Sequence, residues 1–333
     1  MQLVTIPALL CPFPTMLHED TLRITAHTRH FILKFSLVNE EQFLNYCSQN
    51  FATMIARSYP FGCFEDLAAW CDMNTLLFLL DDDLDETSNM SKQDLVRFEL
   101  QFMEILETSG HPSFAIEHPL LTGLCDIWTR MVARSNYPFQ QRIIQGFRDM
   151  FYGGWWQYNQ ISRCQQPSLE EYMEIRQFLG AANLATDSLP LTACIDLPYE
   201  IYDQSCVKEI TVTARNAICF SNDLFSLSKE LYKSNGATFN LVTILQRERK
   251  MDLKDAIFTA KQIHDDTIRR FIQQESKLYV FSPEINQGLE KYVSALKHLM
   301  IGNVIWSTYE TTRYPHLTNE EEDLYLLHKA VAG

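Results

Sequence analysis

The sequence predicts an all-α protein, a single large helical bundle, and three observations carry that prediction. Helical texture runs almost without interruption past residue 38, and few prolines fall inside it. No stretch of six or more residues alternates polar and apolar side chains as a half-buried strand would. Glycine is scarce, 11 residues in 333, which argues against turn-dense β architectures, and neither G-x-G-x-x-G nor G-x-x-x-x-G-K-[ST] occurs. Hydrophobic residues make up 46% of the chain and aromatics 12%, enough for a large core with apolar side chains left to line a central cavity.

The elements follow in order. Residues 1–38 read as an N-terminal strap: the opening is apolar, Pro7, Pro12 and Pro14 interrupt it, and it has no basic leader segment, so it is not read as a signal peptide. Helices are predicted at about 39–57, 60–81, 92–109, 115–134, 137–164, 168–186, 199–231, 238–248, 251–275 and 283–312. Ser91 reads as an N-cap, and Gly110-His111-Pro112-Ser113 separates two helices. Ser168 starts another helix with Glu170 and Glu171 in its first turn, and Ser234-Asn235-Gly236 closes a long one. Residues 39–314 thus form one α-helical domain and 315–333 a C-terminal tail. Leu76-Leu77-Phe78-Leu79-Leu80 is apolar on every face, as in a helix at the middle of a bundle.

The net charge of −14 excludes a nucleic-acid partner, whose phosphates would be repelled. An anionic small molecule would need cations to bridge it to such a protein. Nine scattered cysteines, with no C-x-x-C, fit a reduced, cytoplasmic protein. No run approaches the length of apolar sequence that spans a membrane. Monomer and homodimer both stay open.

Two polar clusters break the apolar texture. Asp81-Asp82-Asp83-Leu84-Asp85-Glu86 places five carboxylates in six residues directly after the apolar helix. Asp81 and Asp85 lie one turn apart and can grip the same ions, and hard oxygen ligands select Mg²⁺ or Mn²⁺. Acids at a helix C-terminus oppose the macrodipole, so a merely solvated acidic end is disfavoured. About 140 residues on, Asn222, Ser226 and Glu230 recur every fourth residue along an apolar helix. An amide oxygen, a hydroxyl and a carboxylate on one face supply three oxygens to one hard cation, leaving positions for water and phosphate.

Together the clusters resemble the metal motifs of microbial class I terpene synthases. Asp81-Asp82-x-x-Asp85-Glu86 looks like the aspartate-rich motif, and Asn222-Asp223-x-x-Ser226-x-x-x-Glu230 matches the second motif completely. Three consecutive aspartates leave the first frame open between Asp81 and Asp82; Asp81 is preferred because it leaves two spacers before Asp85-Glu86. Arg176, 46 residues before Asn222, stands where the family places a diphosphate-sensing arginine, and Arg313-Tyr314 resembles its C-terminal pair.

The resemblance implies a class I terpenoid synthase bundle whose two motifs face each other across a cavity mouth and hold three Mg²⁺ ions, with Mn²⁺ a substitute. Asp81, Asp82 and Asp85 would hold two of them, and Asn222, Ser226 and Glu230 the third. Arg176, Lys229, Arg313 and Tyr314 would bind the diphosphate, and the Gly180 carbonyl, freed at a helix break, would help trigger ionisation. Phe78 and Trp306 are candidates to shield the carbocation, whereas Trp155, Trp156 and Tyr158 are read mainly as packing. The tail is read as a lid over the mouth. The implied reaction is ionisation and cyclisation of a prenyl diphosphate, farnesyl diphosphate preferred and geranylgeranyl diphosphate the alternative. A chain-elongating prenyltransferase would carry a second D-D-x-x-D, a protonation-initiated cyclase D-x-D-D, and a non-catalytic prenyl-diphosphate binder would not need the metal ligands. His264-Asp265-Asp266 lacks a second histidine pattern and is read as a helix surface.

Overall fold

The computed structural model describes residues 3–86, 91–232 and 239–318, except for the side chains of 83–86. Among these residues the chain is almost wholly helical: α1 (Thr21–Lys34), α2 (Glu40–Ser48), α3 (Phe51–Ser58), α4 (Phe64–Glu86), α5 (Lys92–Glu107), α6 (Pro119–Arg134), α7 (Tyr137–Ser162), α8 (Leu169–Leu179), α9 (Ala182–Asp187), α10 (Leu189–Thr192), α11 (Tyr199–Tyr202), α12 (Ser205–Tyr232), α13 (Leu241–Arg249), α14 (Leu253–Glu275) and α15 (Pro283–Ile305). A π-helical turn, Trp306–Glu310, continues α15. Two short strands, β1 (Thr5–Ile6) and β2 (Leu317–Thr318), pair in parallel and tie the N-terminal segment to the residues that follow the π-turn.

The sequence explains where helices begin. The Ser91 and Ser168 side chains accept from the backbone N–H groups of Asp94 and Glu171, and Glu171 closes a capping box. Gly110, at φ 87°, terminates α5 in the left-handed region, and a Cβ there would lie 2.4 Å from Thr129 Oγ1. Two helices form the middle of the bundle. α4 is buried continuously from Asp66 to Met73, and between Cys219 and Ser228 of α12 every residue except Asn222 is buried. Apolar side chains on all faces put both there. α12 packs against α8, α9, α13, α14 and α15, and α4 against α1, α3 and α6.

Tertiary structure changes several boundaries. The strap expected over 1–38 is extended only to about His18, and 21–34 form α1, which packs on α3 and α4. The helix expected over 39–57 breaks at Gln49-Asn50, where Asn50 adopts φ 53°; asparagine tolerates that region. The helix over 168–186 breaks at Gly180-Ala181, and that over 199–231 at Asp203-Gln204. Conversely, α4 runs through the acidic cluster to Glu86. Ser234-Asn235-Gly236, the tail from 319 and the Asp85 side chain lie outside the described residues.

His264 and Asp265 are not on a helix surface. Both are buried, with only Asp266 exposed. Asp265 Oδ1 accepts from the Leu10 backbone N–H at 2.9 Å, and Ser228 Oγ accepts from the Val4 N–H at 3.1 Å. The strap is therefore bonded to α14 and to α12, inside the second polar cluster. All nine cysteines are free thiols. Among the described residues no helix is long and apolar enough to cross a membrane.

Candidate active site

The two clusters meet at one end of the bundle. Arg313, just beyond the π-turn, donates from Nη1 to Asp82 Oδ2 at 2.8 Å and from Nη2 to Asp82 Oδ1 at 2.9 Å. Its Nη2 also reaches Asp81 Oδ2 at 3.3 Å. Lys229 of α12 donates to Asp82 Oδ1 at 3.2 Å. The Arg313 side chain is only 4% exposed and Asp82 is half-buried, whereas the Asp81 side chain is 61% exposed. Burial alone would raise the Asp82 carboxyl; the Arg313 fork and Lys229 outweigh it and hold it below the ordinary carboxylate range. These cations also offset the unfavourable run of acids at the C-terminal end of α4.

On α12, Asn222 Oδ1 accepts from Arg176 Nη2 at 2.9 Å and its Nδ2 donates to Tyr314 Oη at 3.0 Å. One turn on, Ser226 Oγ donates to Glu230 Oε1 at 2.5 Å, and Asn240 Nδ2 donates to Glu230 Oε2 at 3.0 Å. Burial, reinforced by the charge of Asp223, pushes the Glu230 carboxyl up to about 7 against these hydrogen bonds.

Asp223 organises the site from behind. Fully buried, it accepts from Arg176 Nε at 2.8 Å, from the Tyr172 hydroxyl at 2.8 Å and from the Leu241 backbone N–H at 3.0 Å. Arg176 is thus aimed along α12 by two consecutive motif residues. Gly180 lies against it: a Cβ on Gly180 would sit 2.2 Å from Arg176 Nη1. Gly180 itself keeps an ordinary φ of −95°, and the left-handed residue at the helix break is Ala181 at φ 51°. Lacking a side chain, Gly180 leaves room for the Arg176 guanidinium beside the helix break.

The family profile described as terpene synthase family 2, C-terminal metal binding, matches residues 72–270, more than half of the chain and spanning Asp81 to Glu230. The chain belongs to this family. Among curated relatives of this terpene synthase, germacrene A synthase of Nostoc punctiforme is 27% identical over 95% of this chain and 97% of its own length. The (+)-T-muurolol synthase ((2E,6E)-farnesyl diphosphate cyclizing) of Roseiflexus castenholzii is 29% identical over 81% of this chain and 82% of its own. Among solved structures, α-eudesmol synthase superposes with a TM-score of 0.78 at 18% identity, covering 90% of this chain and 98% of that one. Linalool/nerolidol synthase from Streptomyces clavuligerus gives 0.77 at 20% identity, covering 90% and 99%. The all-α fold is therefore the class I terpene synthase fold, and the protein is a terpene cyclase, a lyase.

The residues present fit a divalent metal. The second motif offers mixed donors: the Asn222 amide oxygen, the Ser226 hydroxyl and the Glu230 carboxylate. Those donors are hard oxygens, and a Glu230 carboxyl that is reluctant to ionise in its buried place is one that a cation would deprotonate. Arg313 Nε is buried without a hydrogen-bond partner, a donor left over at the edge of the acidic cluster.

The aromatic candidates separate. Phe78 is half-buried, stacks on Phe51 at 4.1 Å and lies 4.8 Å beneath the Arg313 guanidinium. Trp306 is 1% exposed, and its indole N–H donates to the Gln49 and Asn50 carbonyls. It supports the aromatic layer rather than facing open space, which corrects its reading as a cavity residue. Trp155, Trp156 and Tyr158 are half-buried on α7. Tyr172, Asn240 and Gln49 were not singled out from sequence. Asp223 lies inside a recognised motif, whereas these three have no spacing signal of their own.

Proposed function

We propose that this terpene synthase ionises farnesyl diphosphate with Mg²⁺ and cyclises the carbocation to a sesquiterpene hydrocarbon or alcohol, releasing diphosphate. The observation that carries this reading is the convergence of Lys229 and Arg313 on Asp82, which brings a residue of each cluster and two cations together. The C15 substrate is supported by the relatives named for germacrene A and T-muurolol. Three Mg²⁺ ions, held by Asp81, Asp82 and Asp85 and by Asn222, Ser226 and Glu230, would neutralise the acidic mouth and the charge that develops on the leaving diphosphate.

The chain's own groups do the rest. Arg176, Lys229 and Arg313 donate charge-assisted hydrogen bonds to diphosphate oxygens, and the Tyr314 hydroxyl adds one more. The allylic C–O bond breaks with its electron pair leaving on diphosphate. Phe78, apolar and electron-rich, excludes water and attracts the cation below the mouth. Incubation with C10, C15 and C20 prenyl diphosphates, with and without Mg²⁺, followed by gas chromatography–mass spectrometry, tests this. A metal-dependent cyclic C15 product is expected. A cyclic product from the C20 substrate alone would reassign the substrate, and consumption of isopentenyl diphosphate would make the protein a chain-elongating enzyme.

Gly180→Ala tests Arg176 separately. A methyl group there displaces a guanidinium that Asp223 and Asn222 hold on its other side, and turnover is expected to fall about 10- to 100-fold. Steady-state kinetics with farnesyl diphosphate would reveal it, and wild-type rates would remove Arg176 from the reaction.

A further inference from the structure

Gln49 and Asn50 form the corner between α2 and α3, and that corner receives the C-terminal segment. The Gln49 carbonyl accepts from Trp306 Nε1 at 3.0 Å and from Thr311 Oγ1 at 2.8 Å. Asn50 Nδ2 donates to the Glu310 carbonyl at 2.7 Å. Gln49, a residue only 7% exposed, accepts from Arg313 Nη1 at 2.9 Å through Oε1. One residue therefore grips the segment on both sides of the bend that ends in Arg313.

We propose that Gln49 is a positioning residue that aims Arg313 at the substrate diphosphate; the inference rests on the reading of Arg313 as a diphosphate contact. The Arg313 guanidinium lies between an inner amide and an outer carboxylate, because Nη1 is shared by Gln49 Oε1 and Asp82 Oδ2. Phe51 and Phe78 rings, 5.7 and 4.8 Å from its central carbon, make its surroundings dry. In such a place the inner donor needs an acceptor, since an unpaired buried N–H is costly. An amide oxygen satisfies it without neutralising its charge, whereas a carboxylate would compete with diphosphate. The Asp82 contact is only part-buried and lies on the side of the acidic cluster. The Gln49 contact is buried and remains when Arg313 turns its outer donors to phosphate oxygens.

The test compares Gln49→Leu, Arg313→Met and the double variant. Affinity for inorganic diphosphate in the presence of Mg²⁺ is read by titration calorimetry, beside kcat/KM and the thermal midpoint. Gln49→Leu is expected to weaken diphosphate binding about tenfold, the loss that goes with one hydrogen bond to a charged group. In the Arg313→Met background the same change is expected to have almost no further effect, because the two act as a unit. Additive losses, or a Gln49→Leu affinity within twofold of wild type, would overturn the proposal. Wild-type affinity in Arg313→Met would sink the reading of Arg313, and the role of Gln49 with it. Gln49→Glu covers the case in which Leu prevents folding: it keeps volume and acceptor, so the thermal midpoint is expected to hold while diphosphate affinity falls. Unchanged affinity there would overturn the requirement for an uncharged acceptor at this position.

Discussion

Glu230→Gln is expected to lower kcat at least about 100-fold, the scale seen when a charge-stabilising group is removed from an active site, and yet to stabilise the metal-free protein at pH 8. The two effects share one cause. Burial and the charge of Asp223 raise the Glu230 carboxyl from 4.5 to about 7, so the folded state disfavours its ionised form. Stability from this group is fully present below pH 4.5 and is lost as pH rises through 7, where the folded chain must finally carry a buried carboxylate. Glutamine keeps the acceptor for Ser226 and carries no charge. The variant is expected to gain about 1–3 kcal/mol at pH 8, discounted because the side chain keeps some contact with water, and nothing at pH 4. Urea unfolding of metal-free protein at the two pH values checks the first part, and product formation with Mg²⁺ the second. A variant that is less stable at pH 8, or that turns over normally, would mean that Glu230 is neither strained nor a ligand.

Asp223→Ala is expected to be the most damaging single change in the site. It strands the buried Arg176 guanidinium, the Tyr172 hydroxyl and the first backbone N–H of α13. Breaking a buried ion pair from one side costs about 3–5 kcal/mol, because the remaining charge is left uncompensated. Turnover is expected to fall with it, since Arg176 loses the fulcrum that aims it along Asn222. Asp223→Asn separates the effects: it keeps volume and some hydrogen bonding while removing the charge that orients Arg176. Denaturant midpoints and kinetics on both variants read this out. If Asp223→Asn kept full activity, the charge on Asp223 would have no part in aiming Arg176.

Much of the fold and half of the site could be read from residue order. The apolar run Leu76–Leu80 marked α4 as a central helix, and α12, read as an apolar helix, is buried from Cys219 to Ser228 everywhere but at Asn222. Ser91 and Ser168 announced their helices through local capping, which needs nothing beyond three residues of context. Asn222, Ser226 and Glu230 stood out as candidates because polar residues recurring on one face of an apolar helix call for a reason. Helix interruptions were less visible. Asn50 and Ala181 take left-handed conformations, which asparagine tolerates but alanine does not advertise, and neither lies beside a glycine–proline turn signal strong enough to mark a break. The same blindness hid the burial of His264 and Asp265, whose partner is a strap more than 250 residues away in sequence.

By itself, then, the sequence determined the all-α class, the two oxygen-rich motifs and the cations near them, because periodicity, capping and spacing along one helix are local properties of the chain. Tertiary structure alone decided which groups meet. Arg313 finds Asp82 across 231 residues and Gln49 across 264, and a backbone corner in α2–α3 sets its direction. Gly180 matters through the side chain it faces, and Trp306 lies behind the aromatic layer rather than in front of it. Such relations depend on the docking of whole helices, which is fixed by packing many side chains at once and leaves no trace in the spacing of any one segment.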